Sequence, residues 1–135
     1  MPTAEQLVVD ASAVVESLLG TAVGAGARGR MRHHRLHAPA HLDAEVLSAL
    51  GRLHRAGYIE RTTVERALNE LTAAPITRHL LAGLLVGAWS QRRQLRLVDA
   101  LYVQLAGSLG CPLLTADGRL ARASEIAELA GPERA

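Results

Sequence analysis

The chain has 135 residues, of which 49% are hydrophobic and 21% are charged, as in an ordinary globular protein. It contains one cysteine and no lysine, which excludes an intrachain disulfide, a P-loop phosphate site and a Schiff-base mechanism. The formal net charge of +2 does not by itself indicate nucleic-acid binding. The pattern shows no signal peptide and no run long enough to cross a bilayer, so we expect a cytoplasmic protein without membrane association.

The hydrophobic pattern alternates short apolar strands with helices, and glycines or prolines often separate them. In chain order, the pattern predicts a strand over 7–9, a helix over 12–19, a glycine- and arginine-rich loop or frayed helix over 24–35, a strand over 36–38, helices over 42–56 and 62–71, a strand over 75–77, helices over 80–93 and 97–109, a strand over 111–115 and a helix over 119–123. Thr62 and Glu65 resemble a capping box. This order indicates an α/β fold in which helices cover both faces of a parallel sheet.

Four acidic residues are placed so that their side chains can meet at one end of this sheet. Asp10 ends the first predicted strand and Asp117 follows the last clear one, at the edge where parallel sheets bind ligands. Asp99 begins a helix and lies about 160° from the polar face of that helix, so it points inward. Glu45 lies beside the apolar stripe of the helix over 42–56. Taken singly, Asp10 also fits a turn residue and Asp99 a helix cap.

Carboxylates that converge at a buried position must protonate, pair with arginine or bind a divalent cation. Ligands that are all oxygen favour Mg²⁺ or Mn²⁺ over softer metals. The placement therefore favours a metal site formed by the acidic quartet, which consists of Asp10, Glu45, Asp99 and Asp117.

The residues around the acidic quartet resemble the four signature blocks of PIN domains, most of all those of VapC-type toxins from bacterial type II toxin–antitoxin modules. The blocks are Val8-Val9-Asp10-Ala11-Ser12, His41-Leu42-Asp43-Ala44-Glu45-Val46-Leu47-Ser48-Ala49-Leu50, Val98-Asp99-Ala100-Leu101-Tyr102-Val103-Gln104-Leu105-Ala106 and Pro112-Leu113-Leu114-Thr115-Ala116-Asp117. All four occur in the family's order, between about residues 7 and 123.

This resemblance implies a single PIN domain over 1–135, with an uncertain tail over 124–135 that leaves a fifth strand in doubt. The implied fold is a three-layer α/β/α sandwich around a central parallel sheet of four or five strands, in the order 3-2-1-4-5. The acidic quartet is implied to be catalytic and to bind Mg²⁺ or Mn²⁺, and Ser12 and Thr115 are implied to support the metal ligands. The implied activity is that of an endoribonuclease toxin that cleaves RNA phosphodiester bonds, is inhibited by a cognate antitoxin protein, and commonly forms a homodimer.

Two alternatives to a toxin remain open. The chain could be a non-enzymatic PIN-fold module that grips a partner's arginines, or a nuclease that processes RNA or DNA outside a toxin–antitoxin system. An intact acidic quartet favours an enzyme, because a scaffold gains nothing from acids that repel one another. A neighbouring reading frame for a small basic or DNA-binding protein would separate a toxin from a processing nuclease.

Arginine must hold the phosphates of any nucleic-acid substrate, because the chain has no lysine. The candidates are the arginines near Asp99 and Asp117, namely Arg92, Arg93, Arg96, Arg119 and Arg122. The arginines over 28–35 are expected to lie in a solvated loop.

Other conspicuous residues are expected to have structural roles. We expect Asp43 to stabilise the start of its helix and Glu16 to lie on an exposed helix face. Cys111, Trp89 and Tyr102 are expected to be buried. One group of histidines resembles a transition-metal cluster, but its spacing does not match zinc motifs. That group is His33, His34, His37 and His41.

Overall fold

The computed structural model describes residues 4–132, and its centre is a sheet of five parallel strands. The strands are β1 (Glu5–Val9), β2 (His34–Pro39), β3 (Ile76–His79), β4 (Leu113–Thr115) and β5 (Ala127–Leu129). Their order is β3-β2-β1-β4-β5, as the resemblance implied. The fifth strand is present, and the last three residues of the uncertain tail, 133–135, lie outside the described residues.

Seven helices accompany the sheet in the described part of the chain. They are α1 (Ala11–Leu19), α2 (Ala22–Met31), α3 (Leu42–Arg55), α4 (Arg61–Ala73), α5 (Leu85–Ser90), α6 (Leu97–Leu109) and α7 (Gly118–Ala123), with a 3₁₀ turn at Ala82–Leu84 before α5. Helix α6 packs on β1, β2 and β4, while α1 packs on β4 and α2 on β2. The predicted α/β/α sandwich is therefore confirmed.

Strand β1 lies in the middle of the sheet and explains the apolar run at its end. Leu7, Val8 and Val9 have no exposed surface, because β1 has β2 on one side and β4 on the other and helices pack on the sheet. Parallel strands end at the same edge, so Asp10, directly after β1, and Asp117, two residues after β4, reach one region.

Of the two alternatives predicted for the segment over 24–35, a loop or a frayed helix, the structure shows a helix: α2 runs to Met31, and β2 begins at His34. The Thr21 side chain caps α2 by accepting a hydrogen bond from the backbone N–H of Gly24. Gly24 also lies where α2 approaches α1: a Cβ atom there would lie 2.0 Å from the backbone oxygen of Glu16. This glycine permits a close helix crossing rather than a flexible loop.

The predicted start of one helix and the predicted length of another are wrong. Helix α4 begins at Arg61, with Glu60 in the cap position and no side-chain cap bond, so Thr62 is already inside the helix. The helix predicted over 80–93 is reduced to the 3₁₀ turn and α5. Glycine favours helices poorly, and Gly83 lies in the 3₁₀ turn, whereas Gly87 is retained within α5.

Burial separates the residues that were expected to be in the core. Tyr102 and Cys111 are buried, as predicted. Trp89 is 57% exposed, which corrects its assignment to the core: α5 is short and turns this ring outward. Strand β5 forms because Leu113 N–H donates to the Ile126 oxygen and Ala130 N–H donates to Thr115, extending the ladder that begins at β4.

Replacement of Gly24 by alanine should destabilise the protein by about 2–4 kcal/mol, because the new methyl group would force α1 and α2 apart. Gly29→Ala in the same helix is the matched control, since its nearest neighbour is a flexible Arg32 atom 4.0 Å away. We expect that control to be neutral or to stabilise by roughly 0.5–1 kcal/mol. Urea denaturation of both variants measures the difference, and equal stability of the two would contradict the close crossing.

Candidate active site

The acidic quartet lines one cavity of about 390 Å³ at the edge where β1 and β4 end. Each acid stands at the start of a helix: Asp10 and Asp117 are the N-caps of α1 and α7, while Glu45 and Asp99 lie in the first turns of α3 and α6. The positive ends of helix dipoles favour carboxylates at such positions by about 0.3–1 kcal/mol each. The βα connections therefore bring four negative side chains to one place.

Asp10 is the most deeply buried of the four acids. Its Oδ1 accepts hydrogen bonds from the Ser12 hydroxyl at 2.7 Å and the Ala13 N–H at 2.9 Å, and its Oδ2 accepts one from the Thr115 hydroxyl. Burial raises the pKa of the Asp10 carboxyl to about 6, and the charge of Asp99 adds to this, although the three hydrogen bonds oppose the rise. The structure thus places Ser12 and Thr115 against the acid that they were expected to support.

Glu45 is held by two aromatic side chains. The Tyr102 hydroxyl donates to Glu45 Oε1 at 2.6 Å, and His41 Nε2 lies 3.4 Å from the same oxygen. Burial and the bond to Glu45 raise the pKa of Tyr102, so this hydroxyl keeps its proton and remains a donor. The sequence identified Tyr102 only as a core residue, because its ring is buried and its hydroxyl reaches Glu45 across 57 positions of sequence.

Arginine side chains hold the two remaining acids. Arg119 Nη2 lies 2.9 Å from Asp117 Oδ2 and 3.2 Å from Asp99 Oδ2, and Arg96 Nε lies 3.1 Å from the same Asp99 oxygen. The Arg119 N–H also donates to Asp117 Oδ1. Burial alone would raise the pKa of Asp117, but the hydrogen bonds and charge of Arg119 lower it overall.

The residue types fit a hard divalent cation. Four carboxylates around one cavity form the donor set that Mg²⁺ and Mn²⁺ prefer. As the side chains stand, however, residues 4–132 contain no three acid, histidine or cysteine side chains that converge on a single ion position. Asp99 and Asp117 are turned to arginines and Glu45 to Tyr102, so the acids must rotate to share a cation.

The structure divides the candidate arginines. Arg96 and Arg119 contact the acidic quartet. Arg92 instead stacks over the exposed Trp89 ring at 4.7 Å, and neither it nor Arg93 lines the cavity. Arg122 is exposed on α7, also away from the cavity lining.

The cavity wall also includes residues that the sequence did not single out. Ser48 and Arg52 line the cavity, and Arg52 Nη1 donates to the Ser48 hydroxyl at 2.8 Å. They follow Glu45 by three and seven positions, which places all three side chains on one face of α3. That spacing was the available signal. Glu16 lines the cavity as well and is half-buried, which corrects its assignment to an exposed face.

The remaining candidates are engaged elsewhere. Asp43, in the first turn of α3, pairs with Arg78 at 2.9 Å. The histidines make separate contacts rather than one cluster: His37 Nδ1 lies 2.9 Å from His79 Nε2, His34 Nδ1 contacts the Arg30 carbonyl, and His41 Nε2 lies 3.1 Å from the Val98 carbonyl.

Comparison with known proteins identifies the family. The family model described as PIN domain matches residues 7–126. The chain belongs to the PIN-domain family. Ribonuclease VapC3 of Mycobacterium tuberculosis is 56% identical over 128 residues, which cover 94% of this chain and 93% of that protein. Ribonuclease VapC12 of the same organism is 37% identical over 116 residues, covering 86% and 90%.

A solved structure supports the fold of this VapC-type PIN domain. The crystal structure of PAE2754 from Pyrobaculum aerophilum superposes with a TM-score of 0.68 at 25% identity, over 92% of this chain and 83% of that one. The sequence resemblance to VapC-type PIN domains is therefore confirmed. Among residues 4–132, no helix has the length and apolar character needed to span a membrane.

The raised pKa of Asp10 predicts a pH-dependent stability in EDTA. The carboxyl has a pKa of about 6 in the folded chain and 3.8 as its ordinary value, so its ionised form opposes folding. Its contribution is most favourable below pH 4 and declines as the pH rises to about 6. We therefore expect Asp10→Asn to gain stability relative to the unmodified chain by roughly 2–3 kcal/mol between pH 4 and 7. Urea denaturation across that range tests this, and a difference that does not change with pH would contradict it.

Proposed function

We propose that this VapC-type PIN domain is a Mg²⁺- or Mn²⁺-dependent endoribonuclease and the toxin of a toxin–antitoxin module. The observation that carries the proposal is the acidic quartet around one cavity, with arginines at its rim. The names of the VapC ribonucleases that it resembles support RNA as the substrate. We also propose that residues 1–135 form one domain and that the protein acts in the cytoplasm.

The acidic quartet is proposed to hold the cation, with Asp10 as its fixed member. Ser12, Ala13 and Thr115 orient Asp10, and Tyr102 orients Glu45, so these two acids can turn less freely than Asp99 and Asp117. A divalent ion bound there would neutralise the acids, polarise a phosphate oxygen and acidify a water molecule. The carboxylates left around that water can accept its proton.

The arginines at the rim are proposed to bind the RNA backbone. Arg96 and Arg119 stand on one side of the acids, and Arg52 stands on α3 beside Glu45. A guanidinium matches phosphate through two parallel N–H donors, which suits it to hold a phosphodiester beside the cation. Arg92 is a weaker candidate because it stacks on Trp89 away from the cavity.

The proposed partners are an antitoxin protein and a second copy of the chain. The open edge of the cavity gives an antitoxin segment access to the acidic quartet. The homodimer is supported by an apolar patch along the 3₁₀ turn and α5, where four large side chains are at least half exposed. These residues are Leu80, Leu85, Val86 and Trp89.

Cleavage of RNA should require Mg²⁺ or Mn²⁺ and should stop in EDTA. Asp99→Asn should reduce cleavage at least about a hundredfold while the fold persists, since amide and carboxylate have nearly the same shape. Asp43→Asn, on α3 and paired with Arg78 outside the cavity, is the matched control and should retain most activity. Cleavage of a labelled RNA and melting of each variant measure the two effects. Undiminished cleavage in EDTA, or an active Asp99→Asn, would falsify the proposal.

Introduction of a charge into the apolar patch should dissociate the dimer. Val86 is 85% exposed, and Val86→Arg would place a guanidinium in the contact that we propose. Tyr58→Arg is the control, because Tyr58 is also highly exposed but lies just after α3 and outside the patch. Sedimentation velocity should show a dimer for the unmodified chain and the control, and a monomer for Val86→Arg. A monomer in all three samples would remove the homodimer from the proposal.

A further inference from the structure

Arg119 contacts two acids of the acidic quartet through its side chain and one of them through its backbone. Its Nη2 atom bridges Asp99 and Asp117, at 3.2 Å and 2.9 Å, while its backbone N–H donates to the second oxygen of Asp117. Both oxygens of Asp117 are therefore bonded to one residue, and the better-paired oxygen of Asp99 is shared between Arg119 and Arg96. Two of the four acids are therefore already paired with a guanidinium group.

A divalent ion and Arg119 would compete for the same oxygen atoms. The residue types fit such an ion, but no three acids converge on one position within residues 4–132. Arg119 bridges two of the four acids, Asp99 and Asp117. Asp99 Oδ2 and Asp117 Oδ2 can face one ion only if they give up the Arg119 guanidinium.

The exposure of these side chains makes that exchange physically easy. The Asp99 side chain is 11% exposed, whereas that of Arg119 is 50% exposed and that of Asp117 is 30% exposed. The guanidinium thus covers the acids from the solvent side and can return to water without disturbing the core. Its long aliphatic stem allows the guanidinium to move while the backbone N–H keeps donating to Asp117.

We infer that Arg119 is an internal counter-ion of the acidic quartet, which a divalent cation must displace from Asp99 and Asp117 before all four acids can bind it. The inference deepens the proposed function and rests on it. Arg119 thereby weakens metal binding, and its released guanidinium stands at the rim of the cavity, beside the position proposed for a phosphate. Arg96 contacts Asp99 alone, so it bridges no pair of acids.

The test compares Mn²⁺ binding by Arg119→Gln and by Arg122→Gln. Both variants lose one positive charge from α7, but no ion pair joins Arg122 to the acids in the described residues, which makes it the matched control. Isothermal titration calorimetry should give Arg119→Gln a dissociation constant at least about fivefold lower than that of the unmodified chain, and Arg122→Gln one within about twofold. Calorimetry reads affinity rather than cleavage.

Displacement itself is observed by NMR of the unmodified protein. The guanidinium signals of Arg119, assigned by their loss in Arg119→Gln, should shift to the positions of a solvated arginine as Mg²⁺ saturates the protein. Signals that stay in place at saturation would overturn the inference, as would equal Mn²⁺ affinities for Arg119→Gln and the unmodified chain. Equal tightening in both variants would also overturn it, because general charge would then be the cause. If no variant binds Mn²⁺, the proposed metal site fails together with the inference.

Discussion

The structure depends on the electrostatic cost of placing four carboxylates at one edge of a buried sheet. The last three residues of strand β1 are apolar and fully buried and the strand is central, so the residue after it, Asp10, lies in the interior. Helices α1, α3, α6 and α7 all begin at this edge, and each presents an acid from its first turn or cap. Their dipoles recover only part of the cost, since each contributes about 0.3–1 kcal/mol. The hydrogen bonds and ion pairs of the site offset the rest of this electrostatic cost.

The four acids offset that cost in three different ways. Asp10 relies on hydroxyl and backbone donors, and its pKa is still raised, so it is the least compensated member. Glu45 relies on a phenol that keeps its proton. Asp99 and Asp117 rely on guanidinium groups. The groups that compensate the acids come from four separate parts of the chain, so the contacts that hold the site together also hold the fold together. The stability of the fold and the chemistry of the site are therefore coupled.

The sequence predicted what depends on pattern and missed what depends on proximity. Helix α6 begins and ends at the predicted residues, because the hydrophobic pattern marks both ends. The strand order is the one that the family resemblance implied. The sequence left a loop and a frayed helix open at Gly24, because a glycine at a close helix crossing looks the same in sequence as a glycine in a loop. The Tyr102 hydroxyl and the Arg119 bridge join residues brought together only by folding, so spacing could suggest a site but not its internal bonds.

The absence of lysine gives these bonds their form. A lysine ammonium is a compact point charge, whereas the guanidinium is planar with donors in fixed directions, and the one Nη2 group of Arg119 contacts both Asp99 and Asp117. A site made only of acids would repel a polyanion such as RNA, and arginines held at its rim by those acids offset that repulsion. The same ion pairs hold the guanidinium groups of Arg96 and Arg119 beside the acids. The acids and arginines therefore form one arrangement of opposite charges, in which the arginines neutralise acids that we propose to bind a cation, and the acids hold arginines that we propose to bind a phosphate.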